Sequence, residues 1–199
     1  MELKDFYKKG AIEVGCDEAG RGCLAGPVFA AAVILNPRKR IKELDDSKQL
    51  SKSKRNELRS LIEDKALAWA VASVSPQEID EINILNASFL AMHRAVEQLT
   101  VDFDHLLIDG NRFNPFKAVP HFCIVKGDAK FKSIAAASIL AKTHRDECMQ
   151  QLGVEYPNYD WQNNQGYPTA KHRMAIQEFG ACVHHRLSFN LLTRQLKLF

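Results

Sequence analysis

The sequence lacks the features that mark several common classes of protein. Its five cysteines form no CxxC pair and its seven histidines form no HExxH pair, so neither a disulfide framework nor a zinc site is indicated. The longest apolar run, residues 23–35, contains a proline and is too short to cross a bilayer. A formal net charge of only +3 excludes a bulk polycation, although a local basic face could still bind a polyanion.

The remaining composition is typical of an ordinary globular domain. Hydrophobic residues make up 46% of the 199 residues and charged residues 26%. The first residues, MELKDFYKKG, have no apolar core and do not resemble a signal peptide, so we expect a cytoplasmic protein with reduced thiols. We expect one domain over residues 1–199, in which about 150–199 form a helical C-terminal appendage, and we expect a monomer.

Apolar runs that end at glycine, proline or asparagine predict a mixed α/β fold. Two of these runs, joined by a short glycine-rich loop, predict an antiparallel pair of strands. The order of strands first and alternating strands and helices later predicts a mixed sheet covered by helices. The predicted strands are Ala11–Asp17, Pro27–Leu35, Trp69–Val74, His105–Asp109 and Phe122–Val125, the fourth central and buried and the fifth similar to it.

Helices are predicted from capping residues and from apolar residues at helical spacing. Ser51 is a plausible N-cap, Ser75-Pro76 opens a short helix, and Asn86 is expected to cap another. The predicted helices run from Ser51 to about Ala66, from Ser75, from Asn86 through Leu99, from about Lys132 to Met149, from Thr169 to Phe179, and again near the C-terminus.

Acidic residues lie at or shortly after the ends of three predicted strands. Asp17 and Glu18 close the first strand, Asp109 closes the HLLID strand, and Asp128 comes shortly after the FCIV strand. Because the ends of neighbouring strands converge in a sheet, these carboxylates could share one small volume. Carboxylates that are buried together repel unless a cation or a proton compensates, and Mg²⁺ is a natural partner for their oxygens. The sequence therefore predicts a divalent-metal site of the kind that cleaves phosphodiesters.

A competing interpretation is that these acids cap helices or form ion pairs with Arg21, Lys126 and Lys130. The segment Gly20-Arg21-Gly22 follows the first two acids, and its small residues would let a ligand approach the backbone closely. The segment through Ala25 also matches a dinucleotide-binding pattern, but proline and a strand follow it instead of a helix. A nucleotide-binding regulator and a non-catalytic nucleic-acid-binding module therefore remain alternatives to a nuclease.

Short blocks along nearly the whole chain resemble the ribonuclease HII family, the type 2 ribonucleases H, in the family's order. The blocks are DEAGRG at 17–22, GP at 26–27, DDSKQLS at 45–51, IDGN at 108–111, KGDAK at 126–130, IAAASILAK at 134–142, RD at 145–146, GYPT at 166–169 and HHRLSF at 184–189. The resemblance implies a ribonuclease H-like fold with a helical C-terminal portion.

The resemblance also implies an activity and the residues that carry it. It implies cleavage of the RNA strand of RNA/DNA hybrids and cleavage on the 5′ side of ribonucleotides in duplex DNA, leaving 3′-hydroxyl and 5′-phosphate ends. It implies Mg²⁺ or Mn²⁺ as the cofactor. The four acids are the metal-binding and catalytic residues in this reading: Asp17, Glu18, Asp109 and Asp128.

Substrate-binding residues also follow from the resemblance. The backbone of Gly20, Arg21 and Gly22 would contact the ribose 2′-hydroxyl, the group that distinguishes RNA from DNA. Tyr167 would stack on the deoxyribose after the ribonucleotide, although a surface turn residue before a proline is the plainer interpretation. Lys48 is a candidate for contacts to phosphate.

The C-terminal residues Gln195-Leu196-Lys197-Leu198-Phe199 resemble the short peptide by which bacterial replication and repair proteins bind the sliding clamp. Leu196, Leu198 and Phe199 would then occupy an apolar pocket on the clamp. The same leucines also fit one apolar face of a terminal helix packed on the domain, so both interpretations stay open.

Overall fold

The computed structural model describes residues 3–41, 44 and 50–192 of the chain. Within them, five strands form one sheet in the spatial order β3-β2-β1-β4-β5. The first three strands pair antiparallel, whereas β4 and β5 run parallel to β1. The mixed sheet and the antiparallel first pair are as predicted. The strands are β1 Glu13–Ala19, β2 Val28–Ile34, β3 Ala68–Val74, β4 His105–Asp109 and β5 His121–Ile124.

Five α-helices cover the sheet and form most of the described C-terminal portion. Ser51 caps the first helix and Thr169 caps the last, each by accepting a backbone N–H three residues ahead. None of the helices in the described ranges is long and apolar enough to cross a membrane. The helices are α1 Lys52–Lys65, α2 Pro76–Glu97, α3 Lys132–Glu155, α4 Trp161–Asn164 and α5 Ala170–Phe179, with short 3₁₀ helices at Gly127–Ala129 and Pro157–Tyr159.

The predicted helix cap at Asn86 is wrong. The break between the two predicted helices lies at Asn83, whose φ of 65° and ψ of 163° interrupt α2. The Oδ1 atom of Asn83 accepts the N–H groups of Leu85 at 3.0 Å and Asn86 at 3.1 Å, as an N-cap does. The Asn86 side chain instead donates to the Ile82 carbonyl, inside the helix. Residues other than glycine rarely adopt this combination of φ and ψ, and the two hydrogen bonds to Oδ1 explain why an asparagine occupies the break.

Both faces of β2 are buried, which explains its continuous apolar sequence. Alternate residues of β2 face opposite ways: Ala30 and Ala32 pack against α2, and Ala31 and Val33 pack against α1 and α3. Strand β5 lies at the edge of the sheet, and Phe122 is 39% exposed there, so the prediction that this strand resembles the buried β4 is wrong. Helix α3 also ends at Glu155, beyond the predicted Met149.

Helix α3 approaches β1 very closely. A Cβ atom added to Gly15 would lie 2.2 Å from the backbone carbonyl carbon of Ser133, so only glycine fits at this position. Small residues of α3, Ala135 to Ala137, are fully buried in the same layer. The contact fixes the beginning of α3 against the strand that carries Asp17.

The residues after α3 surround a separate apolar cluster centred on Trp161 and Tyr159, which also includes Leu24 and Ala25 from the loop after β1. This part therefore packs against the loop that follows the first acids. The division of the chain into a main domain and an appendage from about residue 150 stays a prediction. The predicted terminal helix and the QLKLF segment lie outside the described residues.

Candidate active site

Three of the four predicted acids lie together at one edge of the sheet. One carboxylate oxygen from each of Asp17, Asp109 and Asp128 lies within 4.8 Å of the others. Asp17 is near the end of β1, Asp109 is the last residue of β4, and Asp128 is in the 3₁₀ helix after β5. Because β1, β4 and β5 are parallel, their carboxyl ends meet at the same edge.

Backbone N–H groups hold one oxygen of each of these side chains. The Oδ1 atom of Asp17 accepts from the N–H of Glu18 at 2.7 Å, and that of Asp109 accepts from the N–H of Gly127 at 2.6 Å. Asp128 Oδ1 accepts from the N–H of Ala129 at 3.0 Å. These bonds orient the three carboxylates before any ligand arrives, and the Gly127 bond ties β4 to the turn that carries Asp128.

Glu18 lies beside this cluster, outside the group of three. Its Oε1 atom accepts from Arg21 Nη1 at 3.1 Å, so the ion-pair interpretation applies to this acid. Burial raises the pKa of Glu18 above its ordinary value, the Arg21 guanidinium opposes that rise, and the charge of Asp109 adds to it. Lys130, another cation of the ion-pair interpretation, donates instead to the backbone carbonyl of Val125 at 2.8 Å.

The electrostatics of the cluster favour a bound cation. Burial raises the pKa of Asp17 well above its ordinary value, and the charges of Glu18 and Asp109 raise it further, while a hydrogen bond from Ser138 opposes them. Only 5% of Asp17 is exposed. Hard carboxylate oxygens at this spacing fit Mg²⁺ or Mn²⁺, which would compensate the repulsion that raises the pKa.

The glycine-rich loop after β1 contains two glycines with different reasons to be glycine. Gly20 has a φ of 97°, and a Cβ there would lie 2.0 Å from Arg145 Nε, so packing and backbone both require it. Gly22 has no positive φ and open space where a Cβ would be, so nothing within the described residues requires it. In the same ranges, the N–H groups of Arg21 and Gly22 donate to no other protein group.

Arg186 holds the backbone of this loop through hydrogen bonds, a role that was not predicted from the sequence. It is fully buried and donates from Nη1 to the Arg21 carbonyl at 3.0 Å and from Nη2 to the Gly26 carbonyl at 2.8 Å. Burial lowers the pKa of Arg186 to about 10. The HHRLSF block contains this residue, but no local pattern separates a buried arginine from a solvated one.

Tyr167 lies next to the loop with 41% of its surface exposed. Burial and the neighbouring Cys23 raise the pKa of Tyr167 above its ordinary value, and the carbonyl of the preceding Gly166 accepts from the Leu24 N–H at 2.8 Å. The residue also belongs to a turn, since its own carbonyl accepts the Thr169 N–H at 2.8 Å. Tyr167 is therefore a turn residue, as the plainer interpretation expected, and it is also partly exposed beside the loop. Lys48 lies outside the described residues.

Comparison with known proteins identifies the family. A sequence model described as Ribonuclease HII matches residues 14–192. The chain is 63% identical to ribonuclease HII of Bacteroides thetaiotaomicron over 190 residues, which cover 96% of this chain and 95% of that protein. It is 61% identical to the Parabacteroides distasonis protein of the same name over 196 residues, 98% of each chain. The chain belongs to the ribonuclease HII family.

Membership of the ribonuclease HII family makes the chain a ribonuclease H, an endonuclease that acts on the RNA strand of RNA/DNA hybrids. The two non-nuclease alternatives are thereby set aside. The structure agrees, because a strand that pairs antiparallel with β1 follows the glycine-rich loop, and a dinucleotide-binding fingerprint needs a helix there.

Solved structures confirm the predicted ribonuclease H-like fold. Ribonuclease H2 from Pyrococcus horikoshii OT3 matches with a TM-score of 0.75 and 26% identity, over 90% of this chain and 94% of that one. The RNase HII of Archaeoglobus fulgidus, solved in a complex with PCNA, has a TM-score of 0.75 at 24% identity, over 94% of this chain and 100% of that one. Bst-RNase HIII in complex with Mn²⁺ has a TM-score of 0.72 at 19% identity, over 91% of this chain and 68% of that one.

Proposed function

We propose that this ribonuclease HII cuts on the 5′ side of ribonucleotides embedded in duplex DNA as well as within RNA/DNA hybrids, leaving 3′-hydroxyl and 5′-phosphate ends. The observation that carries the proposal is the position of three carboxylates, two buried and one partly buried, within 4.8 Å of one another and beside the loop after β1. Within the described ranges, the N–H groups of Arg21 and Gly22 in that loop have no protein acceptor. Such an activity suits ribonucleotide excision repair and DNA replication in the cytoplasm, where we expect the protein to act as a monomer.

Asp17, Asp109 and Asp128 would hold the metal, and Mg²⁺ and Mn²⁺ both suit their oxygens. When bound, the metal supplies an activated water and stabilises the leaving oxygen of the phosphodiester. The protein's part is to orient the carboxylates, which the three backbone N–H bonds do. Glu18 is the fourth catalytic and metal-binding acid of the proposal, and it would have to leave Arg21 to reach the metal.

The loop would test for the ribose 2′-hydroxyl through its backbone. The N–H groups of Arg21 and Gly22 can donate to a hydroxyl oxygen, and the open space at Gly22 lets a sugar approach. Gly20 would hold the loop's shape, because its conformation leaves room for Arg145. Lys48 would contribute a phosphate contact.

The ring of Tyr167 would stack on the sugar that follows the ribonucleotide. Its exposed face lies beside the loop, because Gly166 is hydrogen-bonded to Leu24. A ring against that sugar leaves no room for a second 2′-hydroxyl. Tyr167 would therefore favour a junction, in which a deoxyribonucleotide follows a ribonucleotide.

The metal-site proposal is tested by cleavage of a DNA duplex with one ribonucleotide, in Mg²⁺, in Mn²⁺ and in chelator. Asp109→Asn should lower the rate by more than about a hundredfold, because it removes a metal ligand at constant volume. Asp64→Asn, on the exposed side of α1, is the matched control and should cleave normally. Product ends are identified by polymerase extension and by phosphatase sensitivity. Rapid cleavage by Asp109→Asn, or cleavage on the 3′ side, would contradict the proposal.

Junction recognition is tested with two substrates. Tyr167→Ala should slow cleavage at a single ribonucleotide more than cleavage of a continuous hybrid, by a stacking contribution of ~1–3 kcal/mol. Tyr167→Phe keeps the ring and should retain the selectivity. Equal losses on both substrates would exclude a role in junction recognition.

We propose in addition that Gln195–Phe199 binds a sliding clamp. The supporting observation is the Gln-Leu-x-Leu-Phe pattern, together with the complex of the Archaeoglobus fulgidus relative with PCNA, a sliding clamp. A chain truncated after Arg194 should cleave short duplexes at the full rate and lose binding to an immobilised clamp. Undiminished clamp binding, or unfolding of the truncated chain, would show that the tail has another role.

A further inference from the structure

Arg145 joins the two substrate-facing segments from within the protein. It lies on α3, only 1% of it is exposed, and its guanidinium donates to three backbone carbonyls. Nε donates to Pro27 at 3.1 Å and Nη2 to Ala25 at 3.2 Å, both in the loop after β1. Nη1 donates to Gln165 at 3.0 Å, two residues before Tyr167. One side chain therefore holds the backbone of both segments.

Two glycines pack closely against this guanidinium and the loop that it binds. A Cβ at Gly20 would lie 2.0 Å from Arg145 Nε, and a Cβ at Gly166 would lie 2.5 Å from the Ala25 carbonyl oxygen. The segments also bond directly through the Leu24 N–H and the Gly166 carbonyl, at 2.8 Å. The guanidinium plane, the close approach at two glycines and this backbone hydrogen bond thus all act on the separation of the two segments.

Arginine is suited to this position in a way that lysine is not. Its donors lie in one rigid plane, so three carbonyls bound to them have fixed relative directions. A lysine ammonium keeps the charge but has a flexible stem and no fork, so it can bond the same carbonyls at variable separation. Arg145 therefore fixes geometry as well as satisfying buried carbonyls.

We propose that Arg145 is a positioning residue that sets the separation between the Gly20–Gly22 backbone and the Tyr167 ring, and so determines selectivity for a junction between a ribonucleotide and a deoxyribonucleotide. The inference rests on the proposed function, in which the loop contacts the ribose and the tyrosine contacts the next sugar. Arg145 touches neither sugar in this arrangement and acts through the two segments.

Arg186 provides an internal comparison. It holds the same loop through the Arg21 and Gly26 carbonyls, and within the described residues it makes no hydrogen bond to the segment that carries Tyr167. Weakening the hydrogen bonds of Arg186 to the loop should therefore disturb recognition of the 2′-hydroxyl. Both the single-ribonucleotide substrate and the hybrid contain this group. Weakening Arg145 should additionally disturb the spacing that only the junction requires.

The test measures kcat/KM for the full chain on two duplexes, one with a single ribonucleotide and one a continuous RNA/DNA hybrid. Arg145→Lys should lower the ratio of the single-ribonucleotide value to the hybrid value by about tenfold, since a displaced Tyr167 ring would lose a stacking contact whose contribution is of that order. Arg186→Lys should lower both values while the ratio stays within about twofold. Arg94→Lys is the control for the substitution, because Arg94 donates to the Ser73 carbonyl far along the chain from either segment and both values should persist. Thermal unfolding verifies that each variant is folded.

A double variant separates positioning from a purely structural role. If Arg145 acts through Tyr167, adding Arg145→Lys to Tyr167→Ala should change the ratio by no more than about twofold further. Equal losses on both substrates in Arg145→Lys, or a further tenfold fall in the double variant, would overturn the inference. An unchanged ratio in Tyr167→Ala would overturn the proposed role of the tyrosine and this inference with it. A lowered ratio in Tyr167→Ala with an unchanged ratio in Arg145→Lys would overturn this inference alone.

Discussion

Gly15 provides a stringent test of how rigidly the acids are held. The residue precedes Asp17 by two positions, so both face α3 from the same side of β1. A Cβ at Gly15 would meet the Ser133 carbonyl carbon at 2.2 Å, whereas ordinary van der Waals contact begins at 3.4 Å. Gly15→Ala must therefore move β1 and α3 apart locally, by about 1.2 Å to reach ordinary contact. Because the obstacle is backbone, no side-chain rotation can relieve it.

Two effects of different size should follow. Overpacking of this kind lowers the free energy of unfolding by roughly 1–3 kcal/mol, a fraction of the total stability of such a domain. Displacement of Asp17 relative to the other acids should lower kcat by about 10²-fold, because a shift of about 1 Å in a reacting group has a cost of that order. At temperatures where the variant is folded, the lower kcat should therefore be the main consequence of the substitution, and the lower free energy of unfolding the lesser one.

The assay combines steady-state cleavage of the single-ribonucleotide duplex with urea unfolding in the absence of metal. Gly22→Ala is the matched control for stability, because open space surrounds that position and the free energy of unfolding should stay within about 0.5 kcal/mol of the original. A Gly15→Ala variant with wild-type stability and with activity within about threefold would refute the close contact and the rigidity inferred from it.

Two further predictions concern stability and pH. Because burial and neighbouring charges raise the pKa of Asp17, its ionisation destabilises the metal-free fold as the pH rises. Asp17→Asn should therefore abolish cleavage yet increase the free energy of unfolding in chelator at pH 7–8, and this gain should vanish near pH 4. If the free energy of unfolding does not increase, the repulsion is contradicted. Burial and the neighbouring His172 lower the pKa of His185 from 6.5 to about 4. The contribution of His185 to stability is therefore present above pH 6.5 and is lost as the pH falls toward 4, by at most about 3 kcal/mol. Urea titrations should show a smaller loss of stability in His185→Gln than in the original protein, and equal losses would argue against this assignment.

The parts of this protein that the sequence predicts are those that depend on neighbouring residues. Apolar runs bounded by glycine and proline predicted the five strands, and Ser51 predicted the start of α1, since caps act within three residues. The grouping of Asp17, Asp109 and Asp128 could also be anticipated, because acids at the ends of parallel strands share an edge.

Other features depend on contacts that no local pattern contains. Asn83 and Asn86 are both plausible caps, and backbone geometry alone decides between them. Arg145 bonds to Pro27 across 118 positions and to Ala25 across 120, so its burial could not be distinguished from an exposed helical position. Glu18 pairs with Arg21, which is close to it in the sequence. Several cations and acids lie near each other there, however, and the fold of the loop decides which of them form a pair.

In the proposed function, helix α3 would connect cleavage with recognition. Ser138 hydrogen-bonds to Asp17, and Arg145 holds the loop and the segment that carries Tyr167. The two residues are seven positions apart, which places them on one face of the helix and ~10 Å apart along its axis. Since hydrogen-bonded helices change length very little, this spacing would fix where the sugars of the proposed function lie relative to the carboxylates. A change that displaces α3 from β1, as Gly15→Ala must, should therefore alter selectivity as well as rate, whereas loss of one metal ligand should alter rate on all substrates alike.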